Sequence, residues 1–259
     1  MKERIITAIC MLAVVLPLIY FGGYWFAGLM LIATVIATWE MIAMHNHLFK
    51  VPMLVKALLL ISTLGIAFVP DLFMALWVSG VAIFLLIACY ALKKITVETS
   101  IFYLKTLIYI GFSFKALLAI RNHSLSLFIF LIAIVILTDS AAYFTGRFFG
   151  KHKLAPKISP KKTVEGAIGG WLIGSGFALF FGVTHHLFTE RWMLMVLAIG
   201  LPILSQVGDL VASSMKRKYG IKDYGKLFPG HGGVMDRVDS QLLAALLIYG
   251  MIQIGGVLS

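Results

Sequence analysis

Charge is what this chain has least of. Only 13% of its 259 residues are Asp, Glu, Lys or Arg, roughly half the share of a soluble domain, while 61% are hydrophobic. At a mean hydropathy of +0.98 an ordinary soluble fold is excluded, because so few polar side chains cannot cover a wet surface. Acidic residues are scarcer still, 11 against 22 Lys and Arg, giving a formal net charge of +11. In a soluble protein that surplus would point to nucleic acid. In a chain this apolar it marks loops at an anionic membrane face, and no nucleic-acid partner is expected. Cysteine is nearly absent: Cys10 and Cys89 lie in apolar runs without metal-ligand spacing, which predicts buried, unpaired thiols. There is no fixed-period repeat, no low-complexity tract and no linker long enough to separate soluble domains. No small-residue cleavage site follows the run from Ile5 to Tyr20, since Phe21-Gly22-Gly23-Tyr24-Trp25 comes next, so an uncleaved first span is expected.

What the chain has in abundance is the apolar run. Runs of roughly 16 to 21 residues recur, close to the ~20 that cross a hydrocarbon core. Spans at 5–20, 26–44, 53–69, 72–92, 102–120, 124–144, 166–185, 192–212 and 240–258 predict an all-α polytopic membrane protein of about nine transmembrane helices. With the N-terminus inside, the cytoplasmic segments carry Lys2, Arg4, Lys50, Lys93, Lys94 and the basic stretches 145–165 and 213–239. The outer loops then carry little more than Arg121 and Arg191. That asymmetry predicts a cytoplasmic N-terminus, an outward C-terminus and both basic stretches on the cytoplasmic face of the cell membrane, where nucleotides are. Composition shifts near Thr138. Residues 1–137 read as a transmembrane scaffold region and 138–259 as a catalytic transmembrane region with motif loops, both parts of one membrane domain.

The polar residues that remain are concentrated. Between Ser213 and Asp239 stand Lys216, Arg217, Lys218, Lys222, Lys226 and Arg237, set around Asp223, Asp236 and Asp239, with the turn Pro229-Gly230-His231-Gly232-Gly233 among them. Lys and Arg suit phosphate oxygens, paired carboxylates suit a hard divalent cation, and consecutive glycines let backbone N–H groups approach an anion. Asp209, Ser213 and Lys216 are spaced to share one helical face. Ser205 and Gln206 extend that polar surface one turn deeper, either as part of a site or as interhelical hydrogen bonds. A second basic stretch, Lys151 to Lys162, is by default a topology determinant. It runs into Thr163, which can cap the next helix and leave free N–H groups for an anion. Gly146-x-x-x-Gly150-Lys151 is not a nucleotide P-loop, because His152 follows the lysine. Asp139, near the cytoplasmic end of its span, is either a polar helix end or a carboxylate facing an interior cavity. Asp239 is either the N-cap of the last span or part of the site, whereas Asp236 has no such structural role. His231 is expected to face phosphate rather than metal. Tyr143, Tyr219, Tyr224 and Phe228 are the aromatic candidates for a base platform. Residues alone therefore indicate a membrane enzyme handling a metal–polyphosphate complex. A cation-coupled transporter would explain Asp139 and Asp209, but not two basic, glycine-bearing loops.

The spacing also carries a resemblance. Ser213-x-x-Lys216-Arg217, Lys222-Asp223 and His231-Gly232-Gly233-x-x-Asp236-Arg237-x-Asp239 resemble the signature of the phosphatidate cytidylyltransferases, or CDP-diacylglycerol synthases. Ser205-Gln206-x-Gly208-Asp209, Ser159-Pro160-Lys161-Lys162-Thr163-x-Glu165-Gly166 and Asp139-Ser140-Ala141-Ala142-Tyr143 extend the resemblance through the C-terminal half. It implies transfer of the cytidylyl group of CTP to phosphatidic acid within the bilayer, giving CDP-diacylglycerol and pyrophosphate for phospholipid synthesis. It implies Mg²⁺ as cofactor, with room for a second cation, and Asp209 and Asp236 as its ligands. Lys216, Arg217, Asp223 and Arg237 complete the implied catalytic set. Ser159, Lys161, Lys162, Thr163, Ser213, Lys222, His231, Gly232, Gly233 and Asp139 are the implied substrate-binding residues. A CTP-dependent lipid-alcohol kinase is the alternative enzyme, and a homodimer is compatible with either.

Overall fold

A computed structural model of the chain describes residues 2–92 and 95–255. Lys93, Lys94 and Ser259, which the topology argument uses, lie outside them. The described residues form helices α1 (Lys2–Phe21), α2 (Gly23–Asn46), α3 (Met53–Ile66), α4 (Met74–Leu92), α5 (Val97–Thr106), α6 (Ser113–His123), α7 (Leu125–Phe149), α8 (Val164–Thr184), α9 (Arg191–Lys218) and α10 (Met235–Ile254). A π-helical stretch, Leu107–Phe112, joins α5 to α6. A hairpin of β1 (Lys153–Ala155) and β2 (Ser159–Thr163), antiparallel with Lys153 opposite Thr163, follows α7. The architecture is all-α, as expected.

Among the described residues each apolar run falls on a helix, and six helical segments are long and apolar enough to cross a bilayer: Gly23–Asn46, Asp71–Tyr90, Val97–His123, Leu125–Phe149, Val164–Thr184 and Arg191–Lys218. Ile5–Phe21 and Met53–Ile66 are apolar but shorter. Helix ends differ from run ends where charge begins. α9 continues through Lys216, Arg217 and Lys218, and α10 starts at Met235. Hydropathy marks where side chains stop tolerating lipid. Lys, Arg and Met are good helix formers, so the helix itself runs on. Large apolar side chains such as Ile5, Ile9 and Leu12 of α1 and Leu172 and Phe180 of α8 are exposed, as lipid-facing surface requires. Cys10 is exposed on α1 rather than buried, because it too lies on an outward face, and Cys89 donates its thiol to Ile95 O.

The chain divides into two units. One is drawn from Met1–Lys115 and Tyr219–Arg237, the other from Ala116–Lys218 and Val238–Ser259. In the first, the C-terminal end of α2 is tied to the start of α5 and to the segment after α9 by one buried side chain. His45 Nδ1 lies 3.0 Å from Tyr219 Oη and Nε2 lies 3.2 Å from Thr99 Oγ1. Its ring stacks on Phe102. Those three chain ends thus belong to one end of the unit.

In the second unit α7, α8 and α9 pack backbone on backbone. The buried face of α8 is Gly166, Gly170, Gly174, Ala178 and Gly182, four apart, the spacing of a small-residue helix interface. A Cβ at Gly170 would lie 2.7 Å from Thr138 O and 2.8 Å from Ala142 Cβ of α7. One at Gly174 would lie 3.0 Å from Pro202 Cγ of α9. Gln206 of α9 donates to Ala167 O at 3.2 Å, an interhelical hydrogen bond. This close contact is what brings Asp139 on α7 near Asp209 on α9.

Candidate active site

In the second unit the site is built on α9. Asp209 is half-buried, and its Oδ2 lies 2.6 Å from Lys162 Nζ while its Oδ1 accepts the Ser213 hydroxyl at 3.2 Å. Asp139 stands within electrostatic reach of Asp209 and Lys162, with the Ser240 side chain beside it. Lys162 is delivered by local structure. It is the next-to-last residue of β2, and Thr163 after it caps α8 by accepting the Gly166 N–H at 3.1 Å, as the sequence predicted. Glu165 closes the other side of the hairpin. It accepts the backbone N–H of Lys151 at 3.0 Å and pairs with His152 Nδ1 at 2.6 Å. Arg217 holds the hairpin from α9, its Nε donating to Ile158 O at 3.3 Å. Ser159 is half-buried and Lys161 exposed on the same hairpin.

About two turns along α9 from Asp209, Lys216 is buried, with Nζ 3.8 Å from Asp239 Oδ2. α10 reaches it because Gly208 leaves room: a Cβ there would lie 2.7 Å from Asp239 O. Asp239 is not the N-cap of the last helix. That helix begins four residues earlier, and Asp239 lies inside it, its Oδ1 accepting the Ser240 N–H at 2.9 Å.

In the first unit the segment 219–234 is a tight loop that leads into the first turn of α10. Phe228 and Gly232 form an isolated antiparallel bridge, with Phe228 N–H to Gly232 O at 2.8 Å, and Gly232 has φ 85°, which favours glycine. Asp236 accepts two backbone N–H groups on one oxygen, Tyr224 at 2.8 Å and Gly233 at 3.0 Å. Its carboxylate therefore holds the loop as well as carrying charge. His231 Nδ1 is buried with no hydrogen-bond partner among the described residues. Lys222, Asp223 and Arg237 are exposed. Of the aromatic candidates, Tyr219 and Tyr224 are buried, so neither offers an open ring face. Burial pushes the Tyr219 phenol above its usual range, keeping it neutral against His45. Tyr143 is exposed and Phe228 half-buried.

Two residues escaped the sequence reading. Ser240, which nothing in the sequence singles out, stands beside Asp139. Glu40 of α2, buried, accepts the N–H of Val234 and of Met235, each at 2.9 Å. Its signal was available, since it is the only acidic residue in α2 and a carboxylate within a span is costly without partners.

The donor set suits a hard cation through oxygen. Among the described residues no group of three or more His, Cys, Asp or Glu stands close enough together to hold a metal. In the second unit the carboxylates of Asp139 and Asp209 and the Ser213 hydroxyl are oxygen donors, the kind a hard cation takes.

The whole chain has relatives. The sequence model of the cytidylyltransferase family matches residues 2–255. A phosphatidate cytidylyltransferase of Staphylococcus haemolyticus is 35% identical over 96% of this chain and 97% of its own. One from Bacillus subtilis is 34% identical over 96% of each chain, and one from Staphylococcus aureus is 34% identical over 96% of this chain and 97% of its own. Signature residues in order on α7, β2, α9 and α10, and similarity from one end of the chain to the other, lead to one conclusion: the chain belongs to the cytidylyltransferase family.

Proposed function

We infer that the protein is a multi-pass enzyme of the bacterial cell membrane that transfers the cytidylyl group of CTP to phosphatidate, giving CDP-diacylglycerol and pyrophosphate for phospholipid synthesis. A phosphate oxygen of the lipid forms a bond to the α-phosphorus of CTP, and the bond from that phosphorus to the bridging oxygen breaks as pyrophosphate leaves. The attacking oxygen is already anionic, so the chain need only position two polyanions and offset their charge. The observation that carries this reading is the cluster Lys162–Asp209–Ser213 with buried Lys216, which sets cations and carboxylates side by side at the end of α9. Lys161, Arg217, Lys222 and Arg237, all exposed, are proposed to neutralise the phosphates. Thr163 with the start of α8, and His231 with Gly232 and Gly233, are proposed to present donors to them. Mg²⁺ is proposed as cofactor. Asp209 is its candidate carboxylate in one unit and Asp236 in the other, and Asp139 and Asp223 are candidates for a second cation. When bound, the ion would offset the negative charge of the phosphates and of the leaving pyrophosphate.

The cytoplasmic face is proposed for both motif loops. Loop charge supports it, and so does the joining of the C-terminal end of α2, the start of α5 and the segment 219–237 through His45. Purified protein given CTP labelled at the α-phosphate, phosphatidate and Mg²⁺ should yield labelled CDP-diacylglycerol. Phosphorylation of a lipid alcohol instead would establish the kinase alternative. Direct transfer should invert configuration at an α-thio CTP phosphorus, and net retention would exclude a single displacement.

A further inference from the structure

Glu40 lies in the half of the chain that the signature does not touch, yet its carboxylate is spent entirely on the signature loop. Oε1 accepts the Val234 N–H and Oε2 the Met235 N–H, both at 2.9 Å, and the side chain is 6% exposed. An ionised carboxylate is an acceptor on both oxygens, and the start of α10 is where unpaired N–H groups and the positive end of a helix dipole are found. Two loop glycines are shaped around it. A Cβ at Gly225 would lie 2.5 Å from Glu40 Oε1, and one at Gly233 would overlap the same oxygen. Neither glycine has a left-handed backbone, so the approach of Glu40, not conformational freedom, is what requires glycine there. Asp236 follows at once. It accepts the Gly233 N–H and lies within electrostatic reach of Glu40.

We propose that Glu40 is a positioning residue for the transfer reaction: by gripping Val234 and Met235 from α2 it fixes the first turn of α10 and so sets where Asp236 stands. The inference rests on the transferase reading above. Its test compares Glu40→Gln, Glu40→Ala, Gly225→Ala and the double variant Glu40→Ala with Gly225→Ala, all in the full-length protein. CTP turnover, KM for CTP, thermal unfolding in detergent and amide exchange at residues 234 and 235 are measured. Glu40→Gln keeps the volume but replaces one acceptor by a donor. It should lower kcat on the order of ten- to hundredfold, as loss of a supporting hydrogen bond does elsewhere, with KM and unfolding little changed and faster exchange at both amides. Gly225→Ala crowds the carboxylate without removing it. It should also lower kcat, but should add nothing once Glu40→Ala is present, since the two act through one contact. A wild-type kcat for Glu40→Gln overturns the proposal, as do independent effects of Glu40→Ala and Gly225→Ala. If Glu40→Gln does not fold, Gly225→Ala decides alone, and full activity there is equally fatal. Wild-type protein that made no CDP-diacylglycerol would count against the activity itself, while exchange at Val234 and Met235 would still read the Glu40 contact.

Discussion

Asp209 and Asp236 do different work and should respond differently to the same change. Asp209 has one oxygen on Lys162 and the other on Ser213, all side-chain partners, so Asp209→Asn alters charge and leaves backbone bonding alone. Asp236 holds two backbone N–H groups on one oxygen, a task the Asn carbonyl can keep. Both variants should therefore remain folded. If each carboxylate serves a cation, each should lose several kcal/mol of transition-state stabilisation, on the order of a thousandfold in rate. The check is CTP turnover across a Mg²⁺ titration beside a thermal unfolding curve. Near wild-type turnover with an unshifted Mg²⁺ midpoint would move the metal to other carboxylates. Asp239 calls for a different expectation now that it lies inside α10. Asp239→Asn removes the negative charge that faces the buried Lys216 ammonium, and should reduce turnover about tenfold.

At the scale of the element, α8 is the most constrained helix in the second unit. Valine at Gly170 would drive a branched side chain into Thr138 O and Ala142 of α7, whereas a Cβ at Gly176 meets nothing within 4 Å. Gly170→Val should cost at least the 1–3 kcal/mol typical of overpacking, and it should abolish turnover by parting α7 from α9. Gly176→Ala should be silent in both. Unfolding midpoints of the two variants in the same detergent decide the matter, and equal midpoints would mean that the small-residue face is not a packing seam. Much of this level was legible in the sequence. Each apolar run marked a helix, Thr163 marked a cap, and the Asp209–Ser213 spacing marked a shared face that the structure closes with a hydrogen bond. What was not legible depended on tertiary partners. The glycines of α8 look like any apolar run until α7 lies against them. Lys153–Ala155 reads as loop because three residues give no period. Asp239 reads as a cap because hydropathy places the start of α10 where the charges end, not where the backbone turns.

For the whole molecule, the membrane orientation proposed from loop charge makes a direct prediction. In intact cells, single cysteines at positions 153 and 226 should be protected from an impermeant maleimide, and one at position 121 should be labelled. The reverse pattern would invert the assignment.

The grip of Glu40 on α10 also bears on how the protein is made. The acid is synthesised 194 residues before the first amide it binds, so α2 enters the bilayer with a carboxylate whose partners do not yet exist. Its place six residues from the end of α2 lets it wait near the polar interface, where the cost of a charge is least. Until residues 234 and 235 are made, the nascent chain carries this carboxylate without the two amides whose N–H groups it accepts in the folded protein.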